Sequence, residues 1–201
     1  MSSNAATSPS PVPTEAPRRH LSSRQARTVV RLTEAAVEEL REVGYDGLTV
    51  RTVARRAGVA PATAYTYFTS KEHLVTEVFW RRLESLPDPV PDRRRAPARR
   101  VADALADLAV AVADEPELAA ACSVAMLAGE PDVKLLRLRI GGALHRRLVL
   151  ALGDDADPAV VRVLDLAMSG AFIQAGGGHL AYGDLPELLG EVAEVVLGRS
   201  R

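Results

Sequence analysis

From about residue 23 onward the apolar positions recur every three or four residues, a period that predicts helices along almost the whole chain. Val29, Leu32, Ala36, Leu40 and Val43 share one face of a first helix over residues 24–43, with Arg31, Glu34, Glu38 and Arg41 on the others. Gly44 is placed to cap it. Val50, Val53, Ala54 and Ala57 repeat the pattern in a short second helix. Thr49 supplies an N-cap oxygen there, and Gly58 the positive φ that a tight interhelical turn demands. Pro61 opens a third helix, where its N–H would be unbonded anyway. That helix, over residues 61–68, should bury Ala64 and Phe68 and turn Ala62, Thr63, Thr66 and Tyr67 outward. Ser70 N-caps a fourth helix that runs through Phe79 and Trp80 to about residue 86.

Residues 87–97 (PDPVPDRRRAP) form a loop, because closely spaced prolines remove amide donors and clash with a preceding turn. Further helices are expected over residues 98–113, 116–127, 132–152, 158 to about 182, and 185–197, with Gly, Pro and Asp at nearly every junction. The chain is therefore expected to be all-α, with about nine helices. Residues 1–22 are too poor in apolar side chains to offset ordering entropy and are expected to be a mobile tail. Whether Arg18, Arg19 and His20 in it form a DNA-tracking arm or a solvated face stays open.

Charge divides the chain in two. Residues 18–82 carry 12 Lys and Arg against 7 Asp and Glu, whereas residues 83–201 carry 13 against 18, so a net charge of −1 conceals a basic first part and an acidic remainder. A basic segment is the sign required beside a polyanion. The single cysteine, Cys122, excludes an intramolecular disulfide framework and fits a reducing cytoplasm. The start is Ser-, Pro- and Ala-rich rather than apolar, and no uninterrupted run of some 18 apolar residues is present. The nearest approach, residues 166–180, reads as a buried helix. No membrane association is expected.

The outward face of the third helix is small and uncharged, which lets a helix backbone sit deep in a DNA major groove. The residues GVAPATAYTYFTSKEHL, preceded by AAVEELREVGYDGLTVRTVA, resemble the DNA-binding domain of TetR-type transcriptional repressors over about residues 29–74. The marks are Gly44-Tyr45 closing the first helix, Thr49 opening the second, Gly58-Val59 in the turn, Tyr-x-Tyr-Phe ending the third and Ser-Lys-Glu opening the fourth. Ala64 stands where that family more often carries a larger apolar residue.

This resemblance implies a helix-turn-helix DNA-binding domain over residues 23–70. A larger helical domain for ligand binding and dimerisation would follow over residues 71–201. It places groove contacts on Arg51, Pro61, Ala62 and Thr63, and phosphate contacts on Thr49, Tyr65, Tyr67 and Lys71. The residue chemistry agrees: an Arg fork matches guanine O6 and N7, and hydroxyls or Lys suit phosphate oxygens. The last two long helices would form a four-helix bundle with those of a second copy, Ser169, Gly170 and Gly176 to Gly178 allowing close approach. Alternatively the three glycines simply break the helix.

The region that the family uses for a ligand contains Phe79, Trp80, Leu83, Leu108, Cys122, Met126, His145, Met168 and Phe172, although such side chains are also ordinary core. His145 and Gln174 would be polar anchors for an apolar or amphipathic effector. The implied protein is a repressor that binds a palindromic double-stranded operator as a homodimer and is released by a small molecule, without cofactor or metal. Two other classes stand against it. A protein-binding adaptor would leave Arg51 and the basic first part without purpose. An enzyme would need one of the phosphate-loop, zinc or nucleophile-elbow motifs, none of which the sequence carries.

Overall fold

The structure, a computed structural model, describes residues 23–113 and 115–198. The expected tail with Arg18, Arg19 and His20 lies outside the described residues. Among the described residues the regular structure is helical: α1 (Ser23–Gly47), α2 (Val50–Arg56), α3 (Pro61–Tyr67), α4 (Lys71–Ser85), α5 (Pro97–Ala113), α6 (Pro116–Ala125), α7 (Pro131–Leu152), α8 (Pro158–Gly176) and α9 (Leu185–Gly198).

Local chemistry sets most of these boundaries. Thr49 accepts the Thr52 amide at 3.0 Å while the Thr52 hydroxyl accepts the Thr49 amide at 3.1 Å, a reciprocal cap that starts α2. The end of α2 is closed by Val59 N–H donating to Ala54 O at 2.9 Å and Gly58 N–H to Arg55 O at 3.1 Å. This doubled bonding across a residue at φ 61° requires glycine at position 58. Pro61, Pro116, Pro131 and Pro158 each stand in the first turn of a helix. At Asp157 the side chain accepts the Ala159 amide at 2.7 Å.

Two boundaries differ from expectation. The backbone leaves helical geometry at Gly44 (φ 70°), as a cap there requires, but a further turn continues to Gly47. Val43, on the break, is 44 % exposed instead of buried. The helix expected to reach about residue 182 ends at Gly176, and Gly178 lies at φ 75°. A Cβ on Gly176 would come within 2.4 Å of the Ser123 side chain, so this glycine admits α6 of the same chain rather than a second copy.

Leu32, Ala36, Leu40, Val53, Ala54, Ala64, Phe68 and Leu74 are buried together where α1 to α3 meet the start of α4. The rest of α4 leaves that core and buries Phe79 and Leu83 between α6 and α7. Helix α5 lies along α9, the approach made close by Gly190, whose added Cβ would sit 3.2 Å from that of Ala102. One buried cation ties the larger unit: Arg147 donates to Ala104 O at 3.0 Å and Pro87 O at 2.7 Å. Burial pulls its pKa down against the nearby charge of Asp107, and the carbonyls satisfy its donors.

Candidate nucleic-acid interface and apolar cavity

The small residues expected to face outward do so. Pro61, Ala62, Thr63, Tyr65 and Thr66 are exposed on α3, while Ala64 (0 %) and Phe68 (2 %) anchor the opposite face. Tyr67 is half-buried and packs against the core. Arg51, the second residue of α2, is exposed and has no ion-pair partner among the described residues. Of the neighbouring cations, Arg31 donates to the carbonyls of Ala57 and Gly58, bracing the turn, and Arg56 pairs with Glu38, Glu39 and Glu42, whereas Arg55 is exposed and, like Arg51, has no ion-pair partner among the described residues. Arg51, Arg55, Thr63 and Tyr65 are therefore exposed polar groups able to form new bonds.

Two residues expected at phosphate are already engaged. The Thr49 hydroxyl serves the α2 cap. Lys71 is half-buried, donates to Tyr45 O at 3.0 Å and lies 4.2 Å from the centre of the Tyr45 ring. An ammonium keeps further donors after one bond, and the ring attraction holds this one where α4 begins. Burial raises the Tyr45 phenol well above its usual range, with Glu72, which accepts its hydroxyl at 3.1 Å, adding to the effect.

In the larger unit, a cavity of about 220 Å³ opens between α4, α6, α7 and α8. Phe79, Met126, Met168 and Phe172 line it, as the sequence led us to expect. Leu83 and Leu108 line, with Phe79 and Glu115, a separate pocket of about 10 Å³, room for one water. Trp80 is half-buried against the core, and Cys122 is buried; neither lines the cavity. Burial raises the Cys122 thiol well above its normal range, which leaves it protonated and unreactive at neutral pH. His145 is exposed and held 2.7 Å from Asp165, and Gln174 is exposed as well, so neither anchors anything inside. Leu144 turns inward and His145, a hundred degrees further round α7, turns out.

The sequence did not point to the α7 wall: Arg137, Ile140, Gly141 and Leu144, one stripe at helical spacing whose mixed polarity hid it. Nor did it reveal the junction between the two units. Thr69 donates to Asp132 at 3.1 Å and Ser70 to Glu130 at 2.9 Å, across some sixty residues of sequence. Beneath it, Glu115 at the start of α6 receives both Arg41 from α1 and Arg82 from α4. Among the described residues, no group of three His, Cys, Asp or Glu is placed to hold a metal ion.

Helix α8 exposes one face, which was not expected from the sequence. Val163, Leu166 and Ile173 are 43 %, 69 % and 61 % exposed, so only one side of this helix is buried, contrary to the fully buried helix read from sequence. By length and composition α8 could cross a membrane, but its inner side, including Val160, Leu164, Met168 and Ala171, packs in the protein core.

Residues 32–78 match the family model described as bacterial regulatory proteins, tetR family. The chain is 46 % identical over 176 residues to an uncharacterized HTH-type transcriptional regulator of Mycobacterium tuberculosis, covering 87 % of this chain and 82 % of that one. It is 29 % identical over 142 residues to the HTH-type transcriptional repressor KstR of Rhodococcus jostii, covering 67 % and 66 %. Among solved structures, a TetR transcriptional regulator of a Rhodococcus species superposes with a TM-score of 0.70 at 24 % identity, covering 86 % of this chain and 96 % of that one. The regulator FadR of Bacillus subtilis, solved with stearoyl-CoA, superposes with a TM-score of 0.56 at 20 % identity over 84 % and 97 %.

Proposed function

The chain belongs to the tetR family of bacterial regulatory proteins and is a helix-turn-helix transcriptional regulator, and from that premise we propose that it is an effector-released repressor. In this reading a homodimer binds a palindromic operator through α3, and an apolar or amphipathic molecule entering the cavity lowers operator affinity. The division at residues 70 and 71 into a DNA-binding unit and an effector and dimerisation unit belongs to the same proposal. So does a cytoplasmic location, where operator DNA would be met.

On the DNA, Arg51 reads a base edge, Pro61, Ala62 and Thr63 lie along the groove floor, and Thr49, Tyr65, Tyr67 and Lys71 meet phosphates. The exposed apolar stripe of α8, Val163, Leu166 and Ile173, is suited to face its copy across a two-fold axis. The relation to a repressor in R. jostii supports negative control. The FadR likeness supports the fold, not its ligand.

One observation carries release. The cavity is walled by Phe79 of α4 and by Ile140, Gly141 and Leu144 of α7, and these helices are joined at their amino ends, Ser70 to Glu130, next to the DNA-binding unit. A molecule that separates the walls must therefore disturb the start of α4. Two recognition helices have to stay about 34–36 Å apart to reach successive major grooves, so a shift of a few ångströms costs the second half-site. The effector need only favour the separated state. A 100-fold preference corresponds to about 2.7 kcal/mol of coupling, and DNA weakens effector binding by the same factor.

The test is a thermal-shift screen of apolar compounds followed by operator titration, with light scattering of the free protein. Saturable binding that leaves operator affinity unchanged would refute release, and a monomer with full sequence-specific affinity would refute the dimer.

A further inference from the structure

We propose that the cavity takes an anionic amphiphile, an apolar body ending in a carboxylate, with Arg137 holding the charged end at the mouth. The inference rests on reading the cavity as the effector site and goes further by naming the chemistry of the molecule. Most of the lining is apolar: Phe79, Met126, Ile140, Leu144, Met168 and Phe172. At about 220 Å³ the space exceeds the roughly 150 Å³ that accepts benzene in an engineered core. It suits a medium-length chain better than a single ring.

The polar groups in this wall are unequal. Ser123 donates to Ala119 O at 3.0 Å and lies 3.3 Å from the Tyr182 hydroxyl, and Ser169 donates to Asp165 O at 2.8 Å. Both hydroxyls are thus taken up locally. Arg137 makes one hydrogen bond, to Ala128 O at 3.1 Å, and has no carboxylate partner among the described residues. Its remaining donors form a planar fork that fits a carboxylate in two places at once.

The surrounding charges reinforce it. Lys134, one turn before on α7, is exposed and likewise has no ion-pair partner among the described residues. None of the nearby acids makes an ion pair with either: Glu130 takes the Ser70 hydroxyl, Asp132 that of Thr69, and Asp165 lies against His145. Leu127, lining the same opening, is 71 % exposed. Arg137 is exposed at the mouth, which therefore offers a solvated cation beside apolar surface, an arrangement that an anionic end attached to an apolar body matches.

Three probes that differ only in their head group decide the matter: decanoate, decanol and decyltrimethylammonium, each titrated calorimetrically into the full chain below its micellar concentration. Decanoate is expected to bind about tenfold or more tighter than either of the others. Arg137→Gln should reduce decanoate to the level of decanol while leaving decanol unchanged. Gly141 lines the cavity and a Cβ there meets no atom within 4 Å, so Gly141→Leu has room for its first carbon and should occupy the space and abolish binding of all three. Equal affinity for decanoate and decanol, or a preference that survives Arg137→Gln, overturns the anionic head and leaves the cavity reading standing. Binding unaffected by Gly141→Leu, or no binding by any probe, overturns the cavity as the effector site and this proposal with it.

Discussion

The Ser70 hydroxyl accepts the His73 amide at 3.1 Å and donates to Glu130 Oε2 at 2.9 Å, so the cap of α4 and the residue preceding α7 share a single oxygen. Thr69 and His73 add contacts to Asp132, at 3.1 Å and 3.7 Å. Glu130→Ala removes the partner and leaves the cap. Operator affinity of the free protein should change little, while the factor by which a bound effector weakens operator binding should fall about fivefold, toward the lower end of ordinary allosteric coupling. Fluorescence anisotropy of labelled operator, with and without effector, measures both; an unchanged factor would show that the junction carries no signal.

How far such features were legible depends on their range. Thr49, Gly58, Pro61 and Ser70 act on neighbours three to five residues away, so the helix-turn-helix and its turn could be read from sequence. The cap at Gly44 could be read too, but not the extra turn to Gly47. Glu130 and Asp132 read as ordinary acids at a helix start. Their partners are about sixty residues away, and no local pattern signals the pairing. His145 was drawn inward by its chemistry, whereas the face of α7 that Leu144 occupies fixes it outside.

Arg51→Ala should cost about 1–3 kcal/mol of discrimination at one base pair in each half-site, with little effect on random DNA. Lys71→Ala should weaken binding to all sequences and flatten the salt dependence. Because Lys71 also bonds the Tyr45 carbonyl and its ring, that variant should lose thermal stability as well. Mobility shifts over a series of salt concentrations and operator variants separate the two; matching losses on specific and random DNA would mean the roles are wrongly assigned.

Leu166 is the most exposed of the apolar residues on α8. Leu166→Arg puts a charge into a surface that should otherwise be dry, and the protein should become monomeric by light scattering. Operator affinity should then fall about 100-fold or more, since one recognition helix reaches only a half-site. A Leu166→Arg protein that is still dimeric and binds fully would place the interface elsewhere.

Burial raises the Glu39 carboxyl, but the hydrogen bonds from Arg56, at 2.6 Å, and from Thr52 outweigh it, and the net pKa lies below the usual value. A depressed carboxylate contributes stability that is present above its unfolded pKa and lost as the pH falls through the folded one. Glu39→Gln should therefore lower the melting temperature at pH 7 by about 2–4 °C. The gap to the parent should close as the pH drops below about 4. Thermal melts across that range check it, and a gap independent of pH would point to packing instead of charge.

Arg147 is locked to the carbonyls of Ala104 and Pro87, which gives α7 a fulcrum. At 1.5 Å per residue, Ile140 in the cavity wall lies about 10 Å along the rod from that point and Glu130 about 25 Å. If α7 pivots there, with the Gly141–Gly142 turn remaining helical, a displacement of about 1 Å at the wall arrives at Ser70 magnified about 2.5-fold. That is enough to sever a hydrogen bond of 2.9 Å. A small molecule need not pry the DNA-binding unit open, because the length of one helix multiplies the nudge.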